Sequence, residues 1–181
     1  MATYTYGRIA KLANSLAAAG IEAGVIAEIM AGGEEITQKS SGKLKAEWLA
    51  GAMQRMNRLL SFETRRSVRE ACACCLGGER LKLSQAIARR GGSLQERVAA
   101  ANETRMVFGH SVTLEADGRI VVRFAPDGNT ENRCVCLPKA EGTVPVTYCY
   151  CCGGHIKHHL QIALDRALEM TVRSSALSSA G

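Results

Sequence analysis

Phenylalanine, tryptophan and tyrosine together make up only 4% of this 181-residue chain. Single-stranded nucleic acid is gripped by aromatic platforms on which bases stack, and a chain this poor in rings lacks that device. No apolar run approaches the roughly 20 residues that cross a bilayer as a helix, so no membrane partner is expected. The N-terminus lacks the layout of a secretory signal: residues 1–6 are uncharged and polar, and Arg8 and Lys11 interrupt the apolar positions that follow. A cytoplasmic location is the expectation. Phosphate-cradling glycine loops, paired carboxylates and a Ser-His-Asp arrangement are also missing, which removes the commonest catalytic constellations.

Cysteine is what the chain has in excess. Eight of them fall in three clusters: Cys72-Ala73-Cys74-Cys75, Cys134-Val135-Cys136 and Cys149-Tyr150-Cys151-Cys152. The first and last are near copies, each a C-x-x-C pair followed by glycine within two residues. At 181 residues and 46% hydrophobic, the chain can bury a core without covalent staples. In a reducing compartment such thiols read as metal ligands or redox groups before disulfides. Zinc takes four tetrahedral ligands, and a C-x-x-C turn supplies two thiolates while a following glycine helps the turn close. The expected site is therefore Cys72, Cys75, Cys149 and Cys152. Cys74, Cys134, Cys136 and Cys151 can replace any of these or build a second site. An iron–sulfur cluster is the alternative cofactor, since it also uses four thiolates. Isolated cysteines are ordinary core residues, but three tight clusters are not explained that way.

Histidine concentrates beside the last cluster, at 155, 158 and 159. His155 and His159 are four apart and share a helix face, so either can complete a mixed Cys/His site; His158 is expected to face solvent. A catalytic alternative exists. Cys151 and Cys152 lie where a helix begins, and a helix N-terminus with a nearby imidazolium makes a nucleophilic thiol. That chemistry leaves the copy at Cys72–Cys75 unexplained.

The first hundred residues read as helices. Ile9, Leu12, Ala13, Leu16 and Ala17 follow helical spacing, Val25 to Met30 extend a second segment, and Leu44, Trp48, Leu49, Ala52, Met53, Met56, Leu59 and Leu60 make one apolar stripe. Met53 and Met56 are core filler at that spacing. Ser61 caps the helix that leads into the first cysteine cluster. Further helices are expected over about 80–90 and, from the capping box Ser93-Leu94-Gln95-Glu96, to about Glu103. After Arg105 the pattern changes. Residues 111–124 form a hairpin around Asp117-Gly118. Strands are expected at Cys134–Cys136, over 144–150 and over 170–177, with a helix opening at Gly153-Gly154 and burying Ile156, Leu160, Ala163, Leu164 and Ala167. The fold class is α+β: a helical region 1–105, then an α+β, cysteine-rich region 106–181 with a small antiparallel sheet and a C-terminal helix.

The net charge of +6 lies wholly in the first region, with 16 Lys/Arg against 10 Asp/Glu over 1–105 and 7 against 7 over 106–181. Residues 83–102 have helix-turn-helix character, with Ala88, Gly92 and Val98 at the positions that let two short helices pack closely. The second helix would present Gln95, Arg97 and Asn102 to DNA. With thiolates upstream, this describes a metal-responsive regulator. Any tight helical hairpin needs the same small residues, and Glu96 opposes phosphate.

The run YCYCCGGHIKHHLQIALDRALEMTVRSSALSSAG, about the last thirty-five residues, resembles the C-terminal part of cysteine-rich bacterial and archaeal domains. These are of the 4-vinyl reductase type, which bind small molecules, and of the aminothiazoline-carboxylate hydrolase type. The shared pattern is a cysteine/glycine turn, a helix and a strand. In that family it continues into a further strand with another cysteine. The resemblance implies an α+β ligand binder with cysteine-bound zinc, and it assigns Cys149, Cys151, Cys152 and His155 to the site. Together these readings lead to a cytoplasmic zinc protein with a four-thiolate site and a small-molecule-binding or sensing role. The alternatives are a cysteine-dependent hydrolase of a small heterocycle and a DNA-binding regulator. Nothing in the pattern fixes an oligomeric state.

Overall fold

The computed structural model describes residues 3–126, 128 and 133–177. Among them the chain forms α1 (Gly7–Ala18), α2 (Ala23–Met30), α3 (Gly42–Leu59), α4 (Phe62–Ala71), α5 (Gly78–Arg90), α6 (Leu94–Glu103), α7 (Arg105–Phe108), the strands β1 (Ser111–Leu114) and β2 (Ile120–Arg123), and α8 (Tyr150–Leu164). Short 3₁₀ turns occupy Gly33–Glu35 and Val146–Cys149. The class is α+β, mainly helical with one small antiparallel sheet and a C-terminal helix. No helix of the described residues is long and apolar enough to cross a membrane.

The chain divides into two compact units that are discontinuous in sequence. Unit 1 is Met1–Ala73, Arg133–Gly154 and Val172–Gly181; unit 2 is Cys74–Asn132 and His155–Thr171. Neither coincides with the regions 1–105 and 106–181 marked by composition. Helix α8 changes membership between Gly154 and His155.

Unit 1 is built on α1 to α4. Ser41 and Ser61 cap α3 and α4, each accepting from the backbone N–H three residues on, which satisfies a donor that the first turn leaves unpaired. The helical stripes meet in one core of Ile9, Leu12, Leu16, Leu49, Met53, Met56 and Val68, all essentially inaccessible. Each side chain of this size contributes roughly 1.5–3 kcal/mol on burial. Met53 and Met56 are core, as their spacing implies.

Two contacts bring the later cysteines into this core. Thr147, in the 3₁₀ turn, donates its hydroxyl to Asn57 Oδ1 of α3 at 2.6 Å. Gly154 sits so near α4 that a Cβ there would lie 2.5 Å from the Glu70 carbonyl oxygen and 2.9 Å from its Cα. Only glycine permits that approach, and it brings the first turn of α8 against the end of α4, just before Cys72.

Three expected strands take other forms. Residues 144–150 contain the 3₁₀ turn and the start of α8, Cys134 to Cys136 is irregular, and 170–177 is irregular and ends in a turn. The run 144–150 alternates in hydrophobicity, but Pro145 removes a backbone donor. The turn instead buries Thr147 and Tyr148. A backbone bond, Val144 N–H to the Leu177 carbonyl at 2.8 Å, ties the two stretches.

Unit 2 has its own core of Ile87, Val98, Ala101, Val107, Phe108, Val112, Ile156, Leu160, Ala163 and Leu164. The capping box at Ser93 and Glu96 starts α6 as expected. The hairpin also forms as expected, with Val112 opposite Val122 and Leu114 opposite Ile120. Gly118 at φ +83° makes its turn. Helix α8 stops at Leu164, so Ala167 lies beyond it and is exposed.

Candidate metal centre

Cys72, Cys134, Cys136, Cys149, Cys151 and Cys152 belong to unit 1; Cys74 and Cys75 belong to unit 2. In unit 1, Cys136 comes from the irregular segment anchored by buried Leu137, and Cys152 from the first turn of α8. Their sulfurs are 3.9 Å apart. Cys134 adds to this pair by hydrogen-bonding Cys136, and Cys151 by hydrogen-bonding Cys152. Four sulfurs are thus linked in the order 134, 136, 152, 151. The remaining two have serine partners: Cys72 Sγ lies 3.4 Å from Ser15 Oγ, and Cys149 Sγ lies 2.8 Å from Ser175 Oγ.

Two arginines attend the sulfurs. Arg69 of α4 is 3% exposed. It donates through Nη2 to the Tyr148 carbonyl at 3.0 Å, and its guanidinium lies 4.9 Å from the centre of the Tyr148 ring. Its Nε has no hydrogen-bond partner among the described residues. Burial opposes its charge, but Cys151, Cys72 and Tyr148 outweigh burial and hold its pKa above the ordinary value. A buried cation is tolerable only beside compensating negative charge, and here the groups that favour it are thiols and a phenol. Arg8 of α1 donates to the Cys136 carbonyl and sits 3.4 Å from the Tyr148 hydroxyl.

These neighbours sort the thiols. Hydrogen bonds from Cys134 and Cys152 drive the Cys136 pKa far down against burial, with Arg8 and Arg69 assisting. The bond from Cys152 brings Cys151 down to about 6, again against burial and with help from Arg69. Cys134 and Cys152, which supply the protons, move up, and burial adds to the rise. Burial also raises Cys149. Of the four sulfurs, Cys136 and Cys151 are the ones whose ionised form these neighbours favour.

Among the described residues, no group of three or more His, Cys, Asp and Glu side chains is arranged to hold a metal ion as it stands, Cys134, Cys136, Cys151 and Cys152 included. Of the expected ligands within unit 1, Cys72, Cys149 and Cys152, only Cys152 joins the chain of four sulfurs.

In unit 2, Cys74 and Cys75 are exposed, with their sulfurs 3.8 Å apart. Cys75 has φ +61°, a left-handed conformation that costs a non-glycine residue about 1–2 kcal/mol. The expected histidine ligands bond this loop through its backbone. His155 places Nδ1 at 3.1 Å from the Cys74 carbonyl oxygen and Nε2 at 3.1 Å from that of Val107. Carbonyls only accept, so the neutral ring can satisfy just one of them. His159 donates from Nε2 to the Cys75 carbonyl at 3.0 Å, and its Nδ1 is 2.9 Å from Ser84 Oγ. Both rings are buried. Burial pushes both imidazoles below the usual 6.5, and the carbonyl contacts pull the other way. His158 is half-buried, its ring 5.1 Å from that of His159.

The residues expected to meet DNA have structural employment in part. Asn102 accepts from the Val112 N–H at 2.8 Å and so holds α6 to β1. Glu96 is occupied by the capping box; Arg97 is half-buried and Gln95 exposed. Each unit has a modest cavity. One of about 220 Å³ in unit 1 is bordered by Ala46, Gln54, Ala140 and Val144, and one of about 240 Å³ in unit 2 by Ile87, Arg90, Glu96 and Arg97. Both fall below the roughly 300–1,000 Å³ of ordinary ligand pockets.

Sequence reasoning passed over Arg8 and Arg69. The signal for Arg69 was present: it stands three residues before Cys72 and one after buried Val68, on the inward face of α4. No family model, curated protein or solved structure matches the chain.

Proposed function

We propose that unit 1 binds one zinc ion through Cys134, Cys136, Cys151 and Cys152, and that the protein works as a thiolate-based sensing or structural module. The observation that carries this reading is the linked row of four sulfurs. The 3.9 Å between Cys136 and Cys152 is close to the edge of a zinc–sulfur tetrahedron, about 3.8 Å for bonds of ~2.3 Å. Each thiolate of a four-iron cluster sits on a different iron, so sulfurs this close fit a single ion better. Charge supports the same reading. Zinc with four thiolates carries two negative charges, and the buried guanidinium of Arg69 together with Arg8 supplies two positive ones. Cys72 and Cys149, with serine partners, fall outside the set.

A closed four-thiolate site leaves no vacant coordination position, which suits structure or sensing and not turnover. Signals would reach it through its sulfurs, by metal supply or by oxidation. The modest cavities favour this over capture of a drug-sized molecule, which the resemblance to 4-vinyl reductase-type domains would imply. A cysteine-dependent hydrolase is the second reading, favoured by the lowered pKa of Cys151 at the start of α8.

Cobalt substitution with metal analysis tests the proposal. One ion per chain and the visible bands of tetrahedral cobalt–thiolate are expected, with both lost in Cys136→Ser and Cys152→Ser and kept in Cys72→Ser. Protein that retains no metal but alkylates rapidly at Cys151 alone would replace this reading with the hydrolase one.

A further inference from the structure

Cys74 and Cys75 stand apart from the unit 1 thiols in their exposure. They are the exposed cysteines of the chain and, like Cys151 and Cys152, they are consecutive. Unit 2 grips them by their backbone. The carbonyl of Cys74 meets buried His155, and the carbonyl of Cys75 meets buried His159. The sulfurs remain at the surface, 3.8 Å apart, on a backbone that turns left-handed at Cys75. His159 therefore anchors, with His155 packed beside it, a two-residue turn whose side chains reach solvent.

A disulfide is a poor use for such a pair. Consecutive Cα atoms joined by a trans peptide are about 3.8 Å apart, short of the roughly 4.4–6.8 Å that an unstrained bridge spans. Strained and exposed bridges are readily reduced. Sharing one soft atom demands no such strain. Sulfurs 3.8 Å apart can each reach an atom lying between them with bonds of about 2.3 Å, and thiolates select soft partners.

We propose that Cys74 and Cys75 form a surface capture site for a single thiophilic atom, supplied as trivalent arsenic or as a soft divalent cation. For an arsenoxide the step balances without an oxidant or reductant. The As=O bond and two S–H bonds break, two As–S bonds form, and the oxygen leaves with both protons as water. A divalent cation instead displaces the two thiol protons to solvent. The site shares no residue with the proposed zinc centre, so either can fail alone.

The test treats the full-length protein with one equivalent of phenylarsine oxide and maps the adduct by digestion and mass spectrometry. The expected product is one phenylarsenic group on the peptide bearing Cys74 and Cys75, resistant to excess glutathione and removed by a dithiol. Cys74→Ser and Cys75→Ser change exposed side chains and should each abolish the glutathione-resistant adduct. Prior addition of cadmium distinguishes the sources: protection of the pair assigns the site to cations as well, and full labelling restricts it to arsenic. A first equivalent that maps to the unit 1 cysteines would overturn the proposal. So would an adduct equally resistant to glutathione in either serine variant.

Discussion

Units 1 and 2 both receive part of the cysteine repeat, and they treat it in opposite ways. In unit 1 the sulfurs turn toward one another in partial burial, and arginines approach them. In unit 2 the sulfurs stay exposed, and buried histidines hold the peptide carbonyls. Two segments as alike as Cys72-Ala73-Cys74-Cys75 and Cys149-Tyr150-Cys151-Cys152 thus acquire different chemistry from their surroundings. The first straddles the boundary between the units as its helix ends; the second crosses from a 3₁₀ turn into a new helix. Likeness in sequence did not translate into likeness of surroundings. The neighbouring cations and carbonyls made the difference.

The contrast can be broken most forcefully at the sulfurs of unit 1. Cys136→Ser should lose stoichiometric zinc altogether, measured by metal analysis after gel filtration. Structural zinc in small domains is worth on the order of 10 kcal/mol, so the thermal transition of unit 1 should fall with it while exchange protection in unit 2 persists. Arg69→Met should keep all four sulfurs yet weaken zinc by roughly 10–100-fold, the usual cost of disturbing an outer partner of a metal site. Competition against a chromophoric chelator reads this directly, and unchanged affinity would remove the arginine from the centre.

Gly154→Ala comes next. The new methyl would meet the Glu70 backbone, and overpacking of this kind costs about 1–3 kcal/mol. A lowered melting temperature is expected, together with poorer zinc retention, because the first turn of α8 must move away from α4.

The gentlest probe is pH, and it should sharpen the contrast by acting on unit 2. His155 and His159 have pKa values below the ordinary 6.5 in the folded protein. Below that pH the unfolded chain takes up protons that the folded unit refuses, so stability falls as pH drops from about 6.5 through the depressed values. Above it these groups contribute no slope. Protection factors of the α8 amides beyond His155, corrected for the intrinsic pH dependence of exchange, should fall as the pH drops below 6.5, and His159→Gln should flatten the response. A pH-independent profile would show that the carbonyl contacts cancel the effect of burial and leave both pKa values unshifted.

Much of the fold was legible because local rules and burial agreed. The stripe on α3, the serine caps at 41, 61 and 93, and the hairpin about Gly118 all formed where their patterns lie. The later cysteine segments were less legible. Val144, Val146 and Tyr148 alternate as a strand would, but Pro145 and the bond from Thr147 to Asn57 turn the chain into a 3₁₀ helix instead. The serine partners of Cys72 and Cys149 come from positions 15 and 175, far away in sequence, and spacing carries no trace of them. Thiol spacing pointed to sulfur as the chemistry to look for. The buried arginine beside the sulfurs, which sorts them, left no mark in that spacing.

That arginine bears on which ion the proposed centre would keep. Two fixed guanidinium charges leave a divalent occupant with a neutral surround. A cuprous ion in the same four thiolates would leave one negative charge uncompensated, and a ferric ion one positive charge in excess. Valence, and not ionic size alone, would then discriminate among metals, and replacing Arg69 with a neutral residue should shift that preference toward more highly charged ions.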